Sequence, residues 1–471
     1  MKAFNFICTI APENNSIERI ERMIYKGMSV ARLNLTHGTH ESHFVTITNV
    51  RLAAERYFVR TSYVCPLAIA FDLRGPEMRT GEIIERDVKI GESVTLSCSA
   101  EFLTKPDGST IYVDFPIARK VKKDQVILID DGSVALSVDC VLGDNIMCLV
   151  RKGGILKSFQ TLYIPDIVNQ LSQPFLSEKD KNDIDFAIEQ NVQFLFASHV
   201  KDGDSIDKIR EYLDDNSSSK SIKIYAKIQN QFAVDEIEEI ITKFDGIIIA
   251  PTIAINLRTI PVLERLTLWK CKRKMKPFLL TVESELESAE IYQISNWSLQ
   301  FVDGIILKRD ACRDKFEAIQ SLKVLQKVNS IKSEMSDEEN EKFVDFSAFD
   351  FMKVALASST VKASITSETS AIIIITNSSQ LPFLVYYHHP KCLTIVIIED
   401  EMQARQLNIL NRLIPLIDNR ELKTSKENFA VEFTLKSKIT KPGDSIVILN
   451  DEQNSMTIHY IPYDRQKQLK F

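Results

Sequence analysis

The residues best placed to do chemistry in this 471-residue chain stand where short apolar runs end. The run 29–35 closes on Ala-Arg-Leu-Asn-Leu-Thr-His-Gly-Thr-His-Glu (31–41), and the run 67–73 on Phe-Asp-Leu-Arg-Gly-Pro-Glu-Met-Arg-Thr-Gly (71–81). The run 222–229 closes on Ala-Lys-Ile-Gln-Asn (226–230). A single lysine after a strand, such as Lys227, is ordinarily a solvated or paired surface group. Its place inside a motif at a run end argues for a functional origin. Other conspicuous groups carry less. His388-His389 are read as strand neighbours pointing to opposite faces, hence a surface or interface pair and not a metal site. The acidic stretch 283–290 reads as a solvated helix face. Eight cysteines, at 8, 65, 98, 140, 148, 271, 312 and 392, form no C-x-x-C pair and sit by no histidine cluster, so reduced, mostly buried thiols are expected.

The elements that must position these groups follow from the spacing of apolar residues. Strands are predicted at 4–11, 29–35, 67–73, 192–200, 222–229, 246–252, 277–282 and 304–309, with amphipathic helices between them, for example 16–26 and 178–190. Eight strands with crossover helices predict a TIM (β/α)8 barrel, where chemistry gathers at the C-terminal strand ends. About a hundred residues of β character interrupt it after the third strand, with runs at 93–97, 125–129 and 145–150, and predict an inserted all-β barrel domain. A polar, charged stretch, 330–342, reads as a linker. Runs at 371–376, 393–398 and 445–449 then predict a C-terminal three-layer α/β domain. The expected division is 1–74 with 174–335 for the barrel, 75–173 for the insertion and 340–471 for the last domain. The 58 basic and 64 acidic residues leave a net charge of -6 without a block of one sign, implying neither a nucleic-acid face nor a membrane surface. No apolar run is long enough to span a bilayer, and the N-terminus lacks a secretory pattern, so a cytoplasmic location is expected.

The run ends closely resemble the signature segments of the pyruvate kinase family. Residues 31–41 are similar to that family's ARLNFSHG, residues 71–81 to LDTKGPEIRTG, and 226–230 to SKIEN. Further matches are Asp130-Asp131-Gly132, Ser177-Glu178-Lys179-Asp180, Phe196-Ala197-Ser198 and Lys441-Pro442-Gly443-Asp444. The resemblance covers nearly the whole chain in order. It implies the glycolytic transfer of a phosphoryl group from phosphoenolpyruvate to ADP, giving pyruvate and ATP, with magnesium and potassium ions, in an oligomer that is a tetramer by resemblance. That chemistry is mostly positioning and charge neutralisation. By resemblance, Arg32 would hold the transferred phosphoryl group and Arg79 the nucleotide phosphates. Lys227 would stabilise charge on the phosphoryl group and the enolate. Asn34, Thr36, Asp72 and the Leu73 carbonyl would ligate potassium.

The same comparison of motifs predicts a damaged magnesium site. The two carboxylates that hold the divalent metal in the family correspond here to Gln229 and Ile253. A hard cation wants charged oxygen ligands, and neither residue supplies one. A unit charge pair at 4 Å is worth roughly 4 kcal/mol at an effective dielectric near 20, so losing both implies about a thousandfold or more in rate. In the same segment Pro251 removes a backbone donor, and Thr252 takes the place of a substrate-contacting glycine. The family's substrate threonine on the seventh strand falls on Val282, or on Thr281 if the register slips by one. Its paired nucleotide lysines fall on Phe159 and Gln160, with Lys157 nearby as a substitute. The family's effector loop corresponds to 376–381 and its later glycine-rich loop to 451–454, so sugar-bisphosphate regulation is not expected. Three readings stay open: a member whose activity is weak or lost, a slow enzyme that recruits magnesium through Asp72 or Glu283, and a non-catalytic subunit or scaffold assembling with an active paralogue.

Overall fold

The computed structural model describes residues 5–61, 63, 65–102, 110–130, 132–165, 175–214, 221–252, 255, 259–282, 302–308, 344–418 and 425–462. Its centre is a closed barrel of eight parallel strands. They are β1 (Phe6–Thr9), β2 (Met28–Asn34), β3 (Ala68–Asp72), β12 (Phe194–Ala197), β13 (Lys223–Ile228), β14 (Gly246–Ile249), β15 (Phe278–Val282) and β16 (Gly304–Leu307). The expected eight-stranded barrel is therefore present, with shorter strands than the apolar runs suggested. Strands such as Gly-Ile-Ile-Ile are buried along their whole length, as parallel strands covered on both faces must be.

Alternate residues of each strand fall into two separate cores. Ile7, Val30, Phe194, Phe196, Tyr225, Ile248, Leu279 and Ile306 share one cluster, which fills the lumen. Cys8, Leu33, Leu195, Ile224, Ile249, Leu280 and Val282 belong to the other, packed against the surrounding helices. The period of two then assigns Thr9, Arg32, Asp72, Ser198, Lys227, Gln229 and Thr281 to the lumen side, at the C-terminal ends of their strands.

The insertion between β3 and β12 contributes β4 (Arg86–Val88), β5 (Ser93–Ser97), β6 (Thr110–Tyr112), β7 (Val126–Ile129), β8 (Val134–Leu142), β9 (Asn145–Lys152), β10 (Gly154–Leu156) and β11 (Leu162–Tyr163). Six of them form a sheet in the order β11-β7-β8-β9-β5-β6, and β10 pairs with β4. It has its own apolar core, which includes Val94, Leu96, Ile127, Leu136 and Cys148.

The C-terminal part is a five-stranded sheet, β19-β18-β17-β20-β21. Here β17 (Ala371–Ile375), β18 (Leu393–Ile398), β19 (Leu413–Ile417) and β20 (Ser445–Asn450) are parallel, and β21 (Ser455–Tyr460) runs antiparallel at the edge. This part docks on the barrel end opposite the lumen-lining polar residues. Asn408 Nδ2 donates to the carbonyls of Ser29 and Pro66 at 3.2 and 2.8 Å, immediately before or at the start of β2 and β3.

One expectation is corrected. His388 and His389 are not strand neighbours; they follow the helix Gln380–Tyr387, His388 as its C-terminal cap and His389 at φ 53°. His388 is buried and stacked on Phe346 with ring centroids 4.6 Å apart, and burial pushes its imidazole down to about 4. The linker 330–342 and the acidic stretch 283–290 lie outside the described residues. The seven described cysteines are free thiols, and no described helix is long and apolar enough to cross a membrane.

Candidate active site

The site forms because β2, β3 and, one strand further round the barrel beyond β12, β13 end in charged residues that face inward. Asp72, at the end of β3, is 1% exposed and receives Arg32 from β2 and Lys227 from β13. Arg32 Nε donates to Asp72 Oδ2 at 2.7 Å, and Lys227 Nζ lies 2.9 and 3.1 Å from the two carboxylate oxygens. Ser198 completes the knot, donating to Asp72 at 3.0 Å and accepting from Lys227 at 2.9 Å. Arg32 also donates to Thr9 Oγ1 at 2.6 Å. A buried charge is tolerated only when paired and hydrogen-bonded, and every member of this group is. Burial disfavours ionised Asp72, but Lys227 and Arg32 outweigh it and hold the carboxyl well below its usual range. Lys227 moves the other way: burial lowers its proton affinity, and the nearby cations Arg32 and Lys308 lower it further against the pull of Asp72.

A second charged group closes the mouth from the loop after β3. Glu77 takes Arg79 on one carboxylate oxygen and His199 Nε2 at 3.0 Å on the other. Burial opposes its ionisation, but His199 and Arg79 bring its carboxyl down to about 2. This loop is steered by the helix Glu178–Glu189. Ser177 caps it reciprocally with Asp180, whose Oδ1 reaches back to accept the Gly75 N–H at 3.1 Å. Gly75 has φ 68°, and a side chain there would collide with the Ser198 carbonyl oxygen.

Gln229 stands two residues beyond Lys227 on the same face. Its Oε1 accepts the His199 backbone N–H at 3.1 Å, and its carbonyl accepts Thr252 Oγ1 at 2.6 Å. Thr252 is thus at the mouth, bound to the Gln229 carbonyl just beyond β13. Val282 is not: it packs outward among the helices, while Thr281, with its hydroxyl 3.2 Å from the Ile249 carbonyl, takes the inward position. The slipped register is the one β15 adopts, because its alternation is fixed by Leu279 inside and Leu280 outside. Asn34 is paired with Asp72 across the β2–β3 ladder and accepts the Thr36 N–H at 3.2 Å, while Leu73 donates its N–H to Phe196.

On the inserted domain, Arg79 Nη1 donates to the Phe159 carbonyl at 2.6 Å. Gln160 is an internal brace, bonded to Thr80, Asp130 and the Lys157 N–H. Lys157 is exposed. Ile253 lies outside the described residues. Sequence reasoning missed Ser198 as a partner of Lys227, and it missed the His199–Glu77 pair. The alternation of Phe194, Phe196 and Ser198 was the signal for the first. Nothing in the spacing announced the second.

Among the described residues no three His, Cys, Asp or Glu side chains converge as a metal site. The donor set fails the test for a divalent ion, because Asp72 is occupied by Arg32 and Lys227, Glu77 by Arg79 and His199, and Gln229 is neutral with its oxygen engaged. The group instead gathers Arg32 and Lys227 around one buried carboxylate at the C-terminal end of the lumen, an arrangement with positive charge to offer an anion.

A family model described as pyruvate kinase, barrel domain, matches residues 1–295, and one described as pyruvate kinase, alpha/beta domain, matches residues 354–459. The chain is 30% identical over 438 residues to pyruvate kinase PKLR of Rattus norvegicus, covering 88% of this chain and 75% of that protein. It is 27% identical over 478 residues to the pyruvate kinase of Leishmania mexicana, covering 95% and 93%. Against the pyruvate kinase of Clostridium acetobutylicum it is 28% identical over 470 residues, covering 95% and 96%.

Proposed function

Because this chain belongs to the pyruvate kinase family, we propose that its barrel mouth still takes the phosphoenolpyruvate-type anion while magnesium-dependent phosphoryl transfer to ADP is weak or lost. The observation that carries this reading is the state of Gln229, a neutral side chain tied to the His199 backbone where a metal-binding carboxylate is expected. Arg32, Lys227 and Ser198 support retained binding, since all three converge at one end of the lumen. By resemblance a potassium ion would be held by Asn34, Thr36, Asp72 and the Leu73 carbonyl, an all-oxygen set in which Asp72 is already engaged by Arg32 and Lys227. Nucleotide phosphates would meet Arg79, already engaged with Glu77 and Phe159, and the exposed Lys157.

A coupled assay of ATP formation from phosphoenolpyruvate and ADP tests this. The expected result is no turnover above background for the natural chain at saturating magnesium. Gln229→Glu combined with Ile253→Asp is expected to raise the rate at least tenfold. Magnesium-dependent turnover of the natural chain that Lys227→Ala abolishes would overturn the reading.

A subunit role beside an active paralogue is supported by one surface. Val262, Leu266 and Trp269 are 59, 53 and 45% exposed at helical spacing on the helix Ile260–Arg273. Light scattering on the purified chain is expected to give an oligomer, and a strict monomer would count against this.

A further inference from the structure

We propose that the cleft between the helices His40–Thr61 and Glu401–Leu407 binds a small apolar monocarboxylic acid, its carboxylate on Arg51 and Arg405 and its body on the apolar wall. The site is separate from the barrel mouth and goes beyond the functional reading. The cleft measures about 280 Å³ and opens where the helix after β2 meets the C-terminal part, on the outer side of β3. Such junctions are common places for small ligands. Val50, Ala54 and Phe58 line it from the barrel helix, and Leu67 and Ile69 from β3 and the residue before it. Sites for drug-sized ligands run from roughly 300 to 1,000 Å³, so the occupant here is smaller, of the order of one ring on a short acid chain.

Four charged side chains border the cleft, and they are layered by depth: Arg51, Glu55, Glu401 and Arg405. Glu55 is exposed and the Glu401 side chain is 57% exposed, whereas that of Arg405 is 23% exposed and Arg51 is half-buried. Positive charge therefore lies inside and negative charge at the rim, where water screens it. Arg51 enters no ion pair among the described residues. Its Nη2 donates to the Gln190 carbonyl at 2.6 Å, which holds the guanidinium in place. Arg405 is paired with Glu401 through Nη2, and its Nε, shielded from solvent, has no partner among the described residues. Such a donor costs free energy until it meets an acceptor. Burial and the charge of Arg405 both weaken the hold of Arg51 on its proton, with Glu401 pulling the other way, as two guanidiniums bordering one space should do. A carboxylate between them supplies the missing counter-charge in a geometry that guanidinium donors match. A phosphate would press further charged oxygens against the apolar wall.

The test is calorimetric titration of the full chain with 3-phenylpropionate, with its neutral amide 3-phenylpropanamide and with acetate. The acid is expected to bind at least about tenfold tighter than the amide, which brings no charge, and than acetate, which brings no ring. Arg51→Met should weaken the acid by at least about tenfold and leave the amide within about threefold. Ala54→Leu keeps both arginines but fills the apolar wall, so it should weaken the acid by at least about tenfold as well. Circular dichroism of each variant shows that it is folded. Saturating phosphoenolpyruvate should leave the acid in place. Equal affinity for acid and amide, no binding of the acid at millimolar concentration, or an acid affinity unchanged in either variant would each overturn the proposal. Displacement by phosphoenolpyruvate would overturn it too, by assigning the acid to the barrel mouth.

Discussion

Asp72 is the residue on which the site's electrostatics turn, because it is buried and answers to a guanidinium, an ammonium and a hydroxyl at once. Its neutral isostere leaves Arg32 and Lys227 buried with much of their compensation gone. Asp72→Asn is therefore expected to cost about 3–5 kcal/mol in urea unfolding, and adding Lys227→Met should return part of that loss. Glu77 makes a second prediction through pH. Its carboxyl is lowered from 4.5 to about 2 in the folded chain. A depressed folded value contributes stability that is fully present above pH 4.5 and is lost as pH falls towards 2, here up to about 3 kcal/mol. Glu77→Gln should flatten that part of the acid limb when urea midpoints are compared across pH, whereas parallel limbs would contradict the pairing. Arg32, Asp72 and Lys227 were legible in the sequence because strand ends and a period of two bring them together. The His199–Glu77 contact was not, since it joins two irregular loops, one of them through His199 at φ 55°, and no short-range pattern encodes that meeting.

At the scale of elements, the loop after β3 is aimed by a helix that begins a hundred residues later. The Ser177–Asp180 capping box fixes the start of the helix Glu178–Glu189, and the free oxygen of Asp180 anchors Gly75. Ser177→Ala should cost about 1 kcal/mol as an ordinary lost cap. Gly75→Ala should cost more than about 1 kcal/mol, because the left-handed backbone and the Ser198 carbonyl both resist a methyl group. Thermal unfolding of the two variants checks the order. The Ser-x-x-Asp spacing announced this helix in the sequence, and hydrophobic alternation announced the barrel strands. Two strands of the last sheet escaped for physical reasons. In β19 Pro415 interrupts the run, and in β21 four of six residues are exposed, so neither carries the continuous apolar signal of β17 or β18. His388-His389 was misread as part of a strand because an apolar run precedes it; the run is the buried face of the helix Gln380–Tyr387.

In the whole molecule, the lumen side chains and one face of the C-terminal sheet belong to a single apolar cluster, so the barrel floor and the last domain share a core. Among the described residues, several polar contacts across this junction are aimed at strand starts. Asn408 serves β2 and β3, Asn411 donates to the Val302 carbonyl ahead of β16, and Gln406 reaches the Ser221 carbonyl ahead of β13. Asn408 is buried, and its two acceptors can find no water if it is removed. Asn408→Leu, which keeps the branching and heavy-atom count with bulkier methyl ends, leaves both carbonyls unsatisfied at a cost of about 1–3 kcal/mol each at most. The loss falls on the junction and not on the core of either part. Calorimetric unfolding of the variant should therefore broaden or split as the C-terminal part releases first, while phosphoenolpyruvate binding at the opposite barrel end keeps its affinity. A single sharpened transition, or a loss of binding equal to that of Lys227→Met, would mean that the two ends of the barrel are energetically one unit.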